Sequence, residues 1–168
     1  MARVSSGRKR PGSWNRASLV IHSEKLTPQE IGKALGASPT DAAIKGERIG
    51  PRTPKPRQTS FWAIDTDLAD DVRIEDQVAQ LLEFVDEHAD ALVRLIESDG
   101  AHVRIQASIG DESGQYPMTF DARMLQALAK VPLSFWLTAW MQSSPGEEEP
   151  GRLVPRVLIL RTPGACAC

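Results

Sequence analysis

Cysteine is almost absent. The 168-residue chain has two, Cys166 and Cys168, both at its extreme end. That excludes a disulfide framework across the fold and fits a reducing compartment. Long apolar runs are missing too: a stretch such as Leu133 to Met141 is far too short to span a bilayer. The first sixteen residues are basic and polar, with no apolar segment behind them of the kind a secretory signal carries. The expectation is a soluble, cytoplasmic protein with no membrane partner. Histidine is sparse as well, and His22, His88 and His102 show no ligand spacing such as His-x-x-x-His, so no metal site is expected. Neither a Gly-x-Ser-x-Gly nucleophile context nor a glycine-rich phosphate loop is present. No catalytic residue and no cofactor is therefore expected, and an enzyme is the least favoured class.

What the chain does have is an ordinary globular composition, 41% hydrophobic and 25% charged, enough for one domain with a sizeable core. Its net charge of −2 conceals a strong asymmetry. Arg3, Arg8, Lys9, Arg10 and Arg16 make residues 1–16 a basic flexible arm without an acid. Lys45, Arg48, Arg52, Lys55 and Arg57 add a second basic run, broken by Pro51, Pro54 and Pro56. From Asp65 to Asp99 the sign reverses, with twelve acids against Arg73 and Arg94. The plainest account is a solvated arm and loop beside the wet faces of acidic helices. The sharper one is a chain that steers a charged partner or docks one segment on another, with the cations expected to pair with the acidic segment, in the same or another chain, rather than with nucleic acid.

Periodicity gives an α+β pattern. Ala17 to Ser23 reads as a strand. Thr27 then caps a helix, with Pro28 in its first turn, Glu30 completing a capping box and Gly36 ending it. Ser60 to Asp65 is a second strand. Between Ile74 and Ser98 apolar residues recur at three- and four-residue spacing, which predicts one long amphipathic helix or two joined near His88. Ala101 to Ile109 alternates as a half-buried strand, and the segment from Tyr116 to Phe120 is expected to return beside it as a hairpin. Asp121 caps a short helix, Pro132 to Trp140 has strand density, and Leu153 to Leu160 either adds a strand or lies over the core before a loose tail.

The block from Leu26 to Gly46 looks at first like half of a helix-turn-helix. A recognition helix must follow the turn directly, and here the next segment carries Pro39, Gly46 and Gly50 with little apolar face beyond Ile44. A helix covering one face of a sheet is the better reading. Similarly, the Asp65-x-Asp67 after a strand resembles the start of the haloacid dehalogenase phosphotransferases. Ala69 stands where that pattern needs a hydroxyl, however, and no later magnesium site completes it.

The order of features does resemble one family. The Thr-Pro-x-Glu-Ile-x-x-x-Leu-Gly-x-x-Pro block from Thr27 to Pro39, the Gly-containing Ile44–Gly50 segment, Trp62 in its strand, the long Leu-rich helix and the late strands are similar to the bacterial family catalogued as domain of unknown function 4279. The resemblance covers about residues 17–141 and implies a compact α+β domain. It carries no catalytic residues to this chain.

The expected architecture is thus α+β: a single domain with a five- or six-stranded mainly antiparallel sheet and helices packed mostly on one face. Residues 17–141 form it, and residues 142–168 hold a linker, a segment that either adds a strand or covers the core, and a loose Cys-containing tail. The expected role is a non-catalytic bacterial intracellular binding module with another protein as partner, in its narrowest form an immunity-type toxin neutraliser. The alternative is nucleic-acid binding through the arm and the Pro-rich loop. Candidate binding residues are the cations Arg48, Arg52, Lys55 and Arg57 and the aromatics Trp14, Phe61, Trp62, Phe135 and Trp140. Neighbours along a strand point to opposite faces, so these aromatics divide between core and surface.

Overall fold

The computed structural model describes residues 14–50, 53–111, 118–142 and 153–161. Among them the chain runs β1 (Trp14–Ser23), α1 (Pro28–Leu35), β2 (Asp41–Ala43), β3 (Arg48–Gly50), β4 (Thr53–Pro56) and β5 (Ser60–Asp65). It continues with α2 (Ile74–Glu87), α3 (Ala89–Glu97), β6 (His102–Asp111), α4 (Ala122–Ala129), β7 (Ser134–Gln142) and β8 (Leu153–Arg161). Six strands form one sheet in the order β2-β5-β1-β6-β7-β8, and β3 and β4 make a separate two-stranded ribbon. The sheet is mixed, because β6 and β7 run parallel while the other neighbours run antiparallel.

Local chemistry explains the helices. In α1 the Thr27 hydroxyl accepts from the Glu30 N–H while the Glu30 carboxylate accepts from the Thr27 N–H, and Gly36 closes the helix in the left-handed region at φ 66°. Asp121 caps α4 by accepting from the Met124 N–H at 2.8 Å. The long apolar repeat is two helices because His88 leaves helical geometry, with ψ at 16°, its ring stacked on Phe84 and its Nδ1 2.8 Å from the Phe84 carbonyl oxygen.

Every helix lies on one side of the sheet. Ala17, Leu19 and Ile21 of β1, Trp62 of β5, Val103, Ile105, Ala107 and Ile109 of β6, and Phe135 and Leu137 of β7 meet Ile31, Leu35, Val78, Leu82, Val85, Leu92, Leu95 and Leu128 from the helices in one core. The expected hairpin partner is not found beside β6, whose two edges are taken by β1 and β7; Tyr116 and Pro117 of that segment lie outside the described residues. Met118 to Phe120 is not a strand; it lies over the core, with the Thr119 N–H donating to Glu75 at 3.0 Å and Phe120 edge-on to Phe135. The chain then crosses through α4 and returns as β7, parallel to β6. The segment set aside as a recognition helix holds strand β2, paired with β5, and then β3 of the ribbon. Strand β1 begins at Trp14, so the last residues assigned to the basic arm belong to the sheet.

One buried polar side chain lets β1 start that early. Strand β5 pairs with β1 from Ser18 to Ser23 and stops at Asp65, which leaves Asn15 and Ala17 facing no strand on that side. Gln77, 1% exposed on α2, replaces it. Its Oε1 accepts from the Ala17 N–H at 2.9 Å, and its Nε2 donates to the carbonyls of Asn15, Ala69 and Val72 at 3.1, 3.2 and 3.3 Å. Asn15 completes the arrangement, its N–H donating to the Asp70 carbonyl at 2.7 Å and its Nδ2 to the Val72 carbonyl at 2.9 Å.

Gln77→Leu keeps the volume but strands several buried backbone groups. It should lower stability by at least about 3 kcal/mol, since each unsatisfied group costs roughly 1–3 kcal/mol, measured by urea unfolding. Leu35→Ala, which truncates a core side chain of α1, should cost about 2–5 kcal/mol.

Candidate functional site

A sheet with all its helices on one side presents a second face, and strand parity assigns its residues. In register across it run Phe61, His22 and His102; then Ala63, Val20, Arg104 and Ser134; then Asp65, Ser18, Gln106, Trp136 and Ile159; and at the far end Trp14, Gly110, Trp140 and Pro155. Among the described residues no helix packs on this face. Val20 and Ala63 are buried on it but lie outside the core cluster. Phe61, Trp14, Trp136 and Trp140 are partly exposed, and Val157 and Ile159 on β8 are 57% and 43% exposed.

The candidate residues therefore separate. Phe61, Trp14 and Trp140 share the helix-free face. Trp62 and Phe135 do not: they are 0% and 2% exposed in the core, because each is one residue out of phase with a surface neighbour. Neither is available to a partner on the surface. Arg48 and Lys55 are exposed on the β3–β4 ribbon, and Arg52 lies outside the described residues, as do Cys166 and Cys168. Of the basic loop, Arg57 reaches the face, its guanidinium 5.6 Å from the centre of the Phe61 ring.

Trp14 is fixed by a bare backbone. It pairs with Gly110, and a Cβ at Gly110 would collide with the Trp14 indole. The ring lies directly over the glycine, the arrangement by which an aromatic covers the gap a strand glycine leaves. Gly110 in turn pairs with Trp140 on its other side, so the two tryptophans border one glycine.

His22, Arg104 and Trp136 of this face are not among the candidate binding residues expected from the sequence. The Arg104 guanidinium sits 4.2 Å from the centre of the Trp136 ring. Burial pushes Arg104 below the ordinary arginine value, and its Nε is buried without a hydrogen-bond partner, as are Arg57 Nε and His22 Nε2. His22 packs 5.5 Å from Phe61, with its Nδ1 3.3 Å from the Thr59 hydroxyl. Burial first, then the nearby charges of Arg104, Arg57 and His102, bring His22 from the ordinary 6.5 down to about 4. The signal that could have found these residues is parity: His22 and Arg104 occupy the polar phase of strands whose apolar phase is core.

The ion pairs between described residues join Arg16 to Asp70, Arg73 to Glu75 and Lys130 to Asp86. Between described residues, the arm thus places the ion pair of Arg16 with Asp70 on the acidic segment, beside the Asn15 hydrogen bonds to the Asp70 and Val72 carbonyls. Those pairs include none of Lys45, Arg48, Lys55 or Arg57, so the expected docking of the basic loop on that segment is not seen within the chain. Lys45 instead donates to the Glu24 carbonyl. The acids Glu83, Asp86, Glu87, Asp90 and Glu97 are exposed on α2 and α3, across the helix layer from the face that carries Arg57 and Arg104.

A groove of about 410 Å³ runs beside α1 among Pro28, Gln29, Lys33, Ala37, Ser38 and Pro39. Lys33 is its one charged group, so it brings no acid and base together. Among the described residues no three His, Cys, Asp or Glu side chains converge as metal ligands, and no helix is long and apolar enough to cross a membrane.

The family model described as "Domain of unknown function (DUF4279)" matches residues 13–142, and the chain belongs to that family. The matched segment begins beside Trp14 and ends with β7, leaving β8 outside it. No curated protein and no solved structure matches the chain.

Two outcomes follow from the face's geometry. Gly110→Ala should displace the Trp14 ring and cost about 1–3 kcal/mol, the usual range for overpacking, with a red shift of tryptophan emission. As the pH falls from 6.5 towards about 4, the unfolded chain protonates His22 before the folded one does, so folding stability should drop through that window. Because the ring is only partly buried, solvent screening limits the loss to roughly 1–2 kcal/mol. Denaturant titrations across this range should show a smaller drop for His22→Gln.

Proposed function

We propose that this protein is a non-catalytic binding module that engages another protein through the helix-free face of its six-stranded sheet. The observation that carries the reading is the composition of that face. Trp14, Phe61, Trp136 and Trp140 stand partly exposed beside Arg57 and Arg104, and Val157 and Ile159 extend the surface to the sheet edge. Aromatics and arginine are the residue types that anchor protein interfaces. An apolar patch on one side of a sheet is the usual mark of such a surface. The groups with displaced protonation elsewhere have structural explanations: Glu30 completes a helix cap, and Glu75 takes Arg73 and the Thr119 N–H. Placement in a bacterial cytoplasm belongs to the same proposal. An immunity-type role, with a toxin as partner, is its narrowest form, and the support for it is the acidic charge of the Asp65 to Asp99 segment.

One observation favours nucleic acid as the second reading. Arg57 and Arg104 lie among aromatics and are absent from the ion pairs of the described residues, a combination single-strand binders use. Against it, two guanidiniums make a short phosphate track, and affinity for a polyanion grows with each phosphate neutralised.

The test is affinity capture with wild type, Trp140→Ala, Val157→Glu and, on the helix layer, Leu125→Glu, followed by DNA and RNA binding at about 50 and 200 mM salt. Capture of one protein that is lost in the two sheet-face variants and kept in Leu125→Glu is the expected outcome. Capture insensitive to the sheet-face variants would overturn the proposal. Submicromolar nucleic-acid binding that collapses with salt would put the second reading first.

A further inference from the structure

We infer that the corner of the helix-free face where Arg57, Phe61, His22, Arg104 and Trp136 meet is a carboxylate-binding site, which takes an acidic segment of the protein partner. The inference rests on the sheet-face reading above and adds to it the chemistry of what is recognised.

The fold has partly desolvated two cations and, among the described residues, paired neither with a carboxylate. Arg57 and Arg104 each have a buried Nε with no hydrogen-bond partner, and neither takes part in the ion pairs of the described residues. A charge taken from water without a counter-charge is unfavourable in the free protein. An anion arriving there meets donors whose desolvation has already been met, so its contacts contribute more than they would to a solvated arginine. Both guanidiniums are also oriented before any ligand arrives, one against Phe61 at 5.6 Å and the other over Trp136 at 4.2 Å. Stacking of this kind holds the planar fork and suits it to a planar, two-oxygen acceptor.

His22 joins the two. It packs on Phe61 and lies near enough to both guanidiniums that each opposes its protonation, with His102, its partner in the β1–β6 register, adding to the effect. Its Nδ1 meets the Thr59 hydroxyl, and its buried Nε2 has no partner. An anion between the arginines reverses the local sign, so His22 should accept a proton more readily when the site is filled.

The surroundings decide between carboxylate and phosphate. The same face continues into Trp140, Val157 and Ile159, apolar groups that suit a protein chain and offer nothing to a phosphate backbone. Arg48 and Lys55 stand on the separate β3–β4 ribbon rather than extending the pair of arginines along the sheet.

The experiment follows the His22 imidazole and Trp136 indole signals by NMR in the full chain. Four probes are titrated: the peptide acetyl-Glu-Glu-Gly-Glu-Glu-amide, its glutamine counterpart, inorganic phosphate and octathymidylate. The acidic peptide should shift both signals and raise the His22 titration midpoint above about 4, and R57Q and R104Q should each weaken its binding about tenfold while Lys55→Gln leaves it unchanged. R104Q should melt at or above the wild-type temperature, because it removes an unpaired charge; this separates lost binding from lost folding. Absence of any His22 response at millimolar acidic peptide, or equal binding of the glutamine peptide, would overturn the site. Octathymidylate or inorganic phosphate binding about tenfold tighter than the peptide would assign the corner to phosphate and overturn the carboxylate. If capture of a protein fails in Trp140→Ala and Val157→Glu yet persists unweakened in R57Q and R104Q, the carboxylate site falls while the sheet-face reading stands.

Discussion

A sheet that keeps all its helices on one side divides its residues by parity, and nearly everything in this protein follows from that division. Leu19, Ile21, Ile105 and Phe135 disappear into the core. Their neighbours in sequence, Val20, His22, Arg104 and Trp136, are sent to the other side. A one-residue slip in any strand would exchange the two sets, so register is held firmly wherever the core side is dense. The helix-free face is therefore a necessary product of the same alternation that builds the core, and what varies is what the chain puts there.

The register depends on β1, the strand next to both β5 and β6. Its first residues would have no partner on the β5 side, and Gln77 supplies one from a helix, a side-chain amide standing in for a strand's backbone. That substitution extends β1 back to Trp14, and Trp14 can then lie over Gly110. A buried helix residue thus sets how far the second face reaches, linking a core hydrogen-bond network to the surface proposed to bind. It also explains why β1 reaches three residues back into the basic arm, where the family match likewise begins.

Much of this was legible in the chain, and the failures have physical causes. The α1 capping box, the two-helix alternative joined near His88, the Asp121 cap, the strands at β1, β5 and β7 and the alternation of β6 rest on neighbours a few residues apart, and each appears in the structure. Pairing is a different matter. The parallel partner of β6 lies beyond α4, and turn chemistry after Gly110 pointed instead to a local hairpin. Trp62 and Phe135 were grouped with Phe61 and Trp140 because aromatic content is visible in a sequence, while the side of the sheet each occupies depends on where a strand's phase is anchored. Gln77 gave no signal among the polar residues of an amphipathic helix, although it alone holds four backbone groups. The reversal of charge along the chain was plain, but its meaning was not: the acids line the outside of the helices, and two of the cations face the other way with aromatics for company.

The central claim is that partners meet this protein on the side its helices leave uncovered. The most direct measurement is hydrogen exchange combined with hydroxyl-radical footprinting of the protein with and without its captured partner. Protection should concentrate on Trp14, Trp136, Trp140 and the exposed Val157–Ile159 stretch, with the outer faces of α2 and α3 unchanged. Protection confined to Glu83, Asp86, Glu87 and Asp90 on those helices, with the tryptophans of the sheet as reactive as before, would contradict the account.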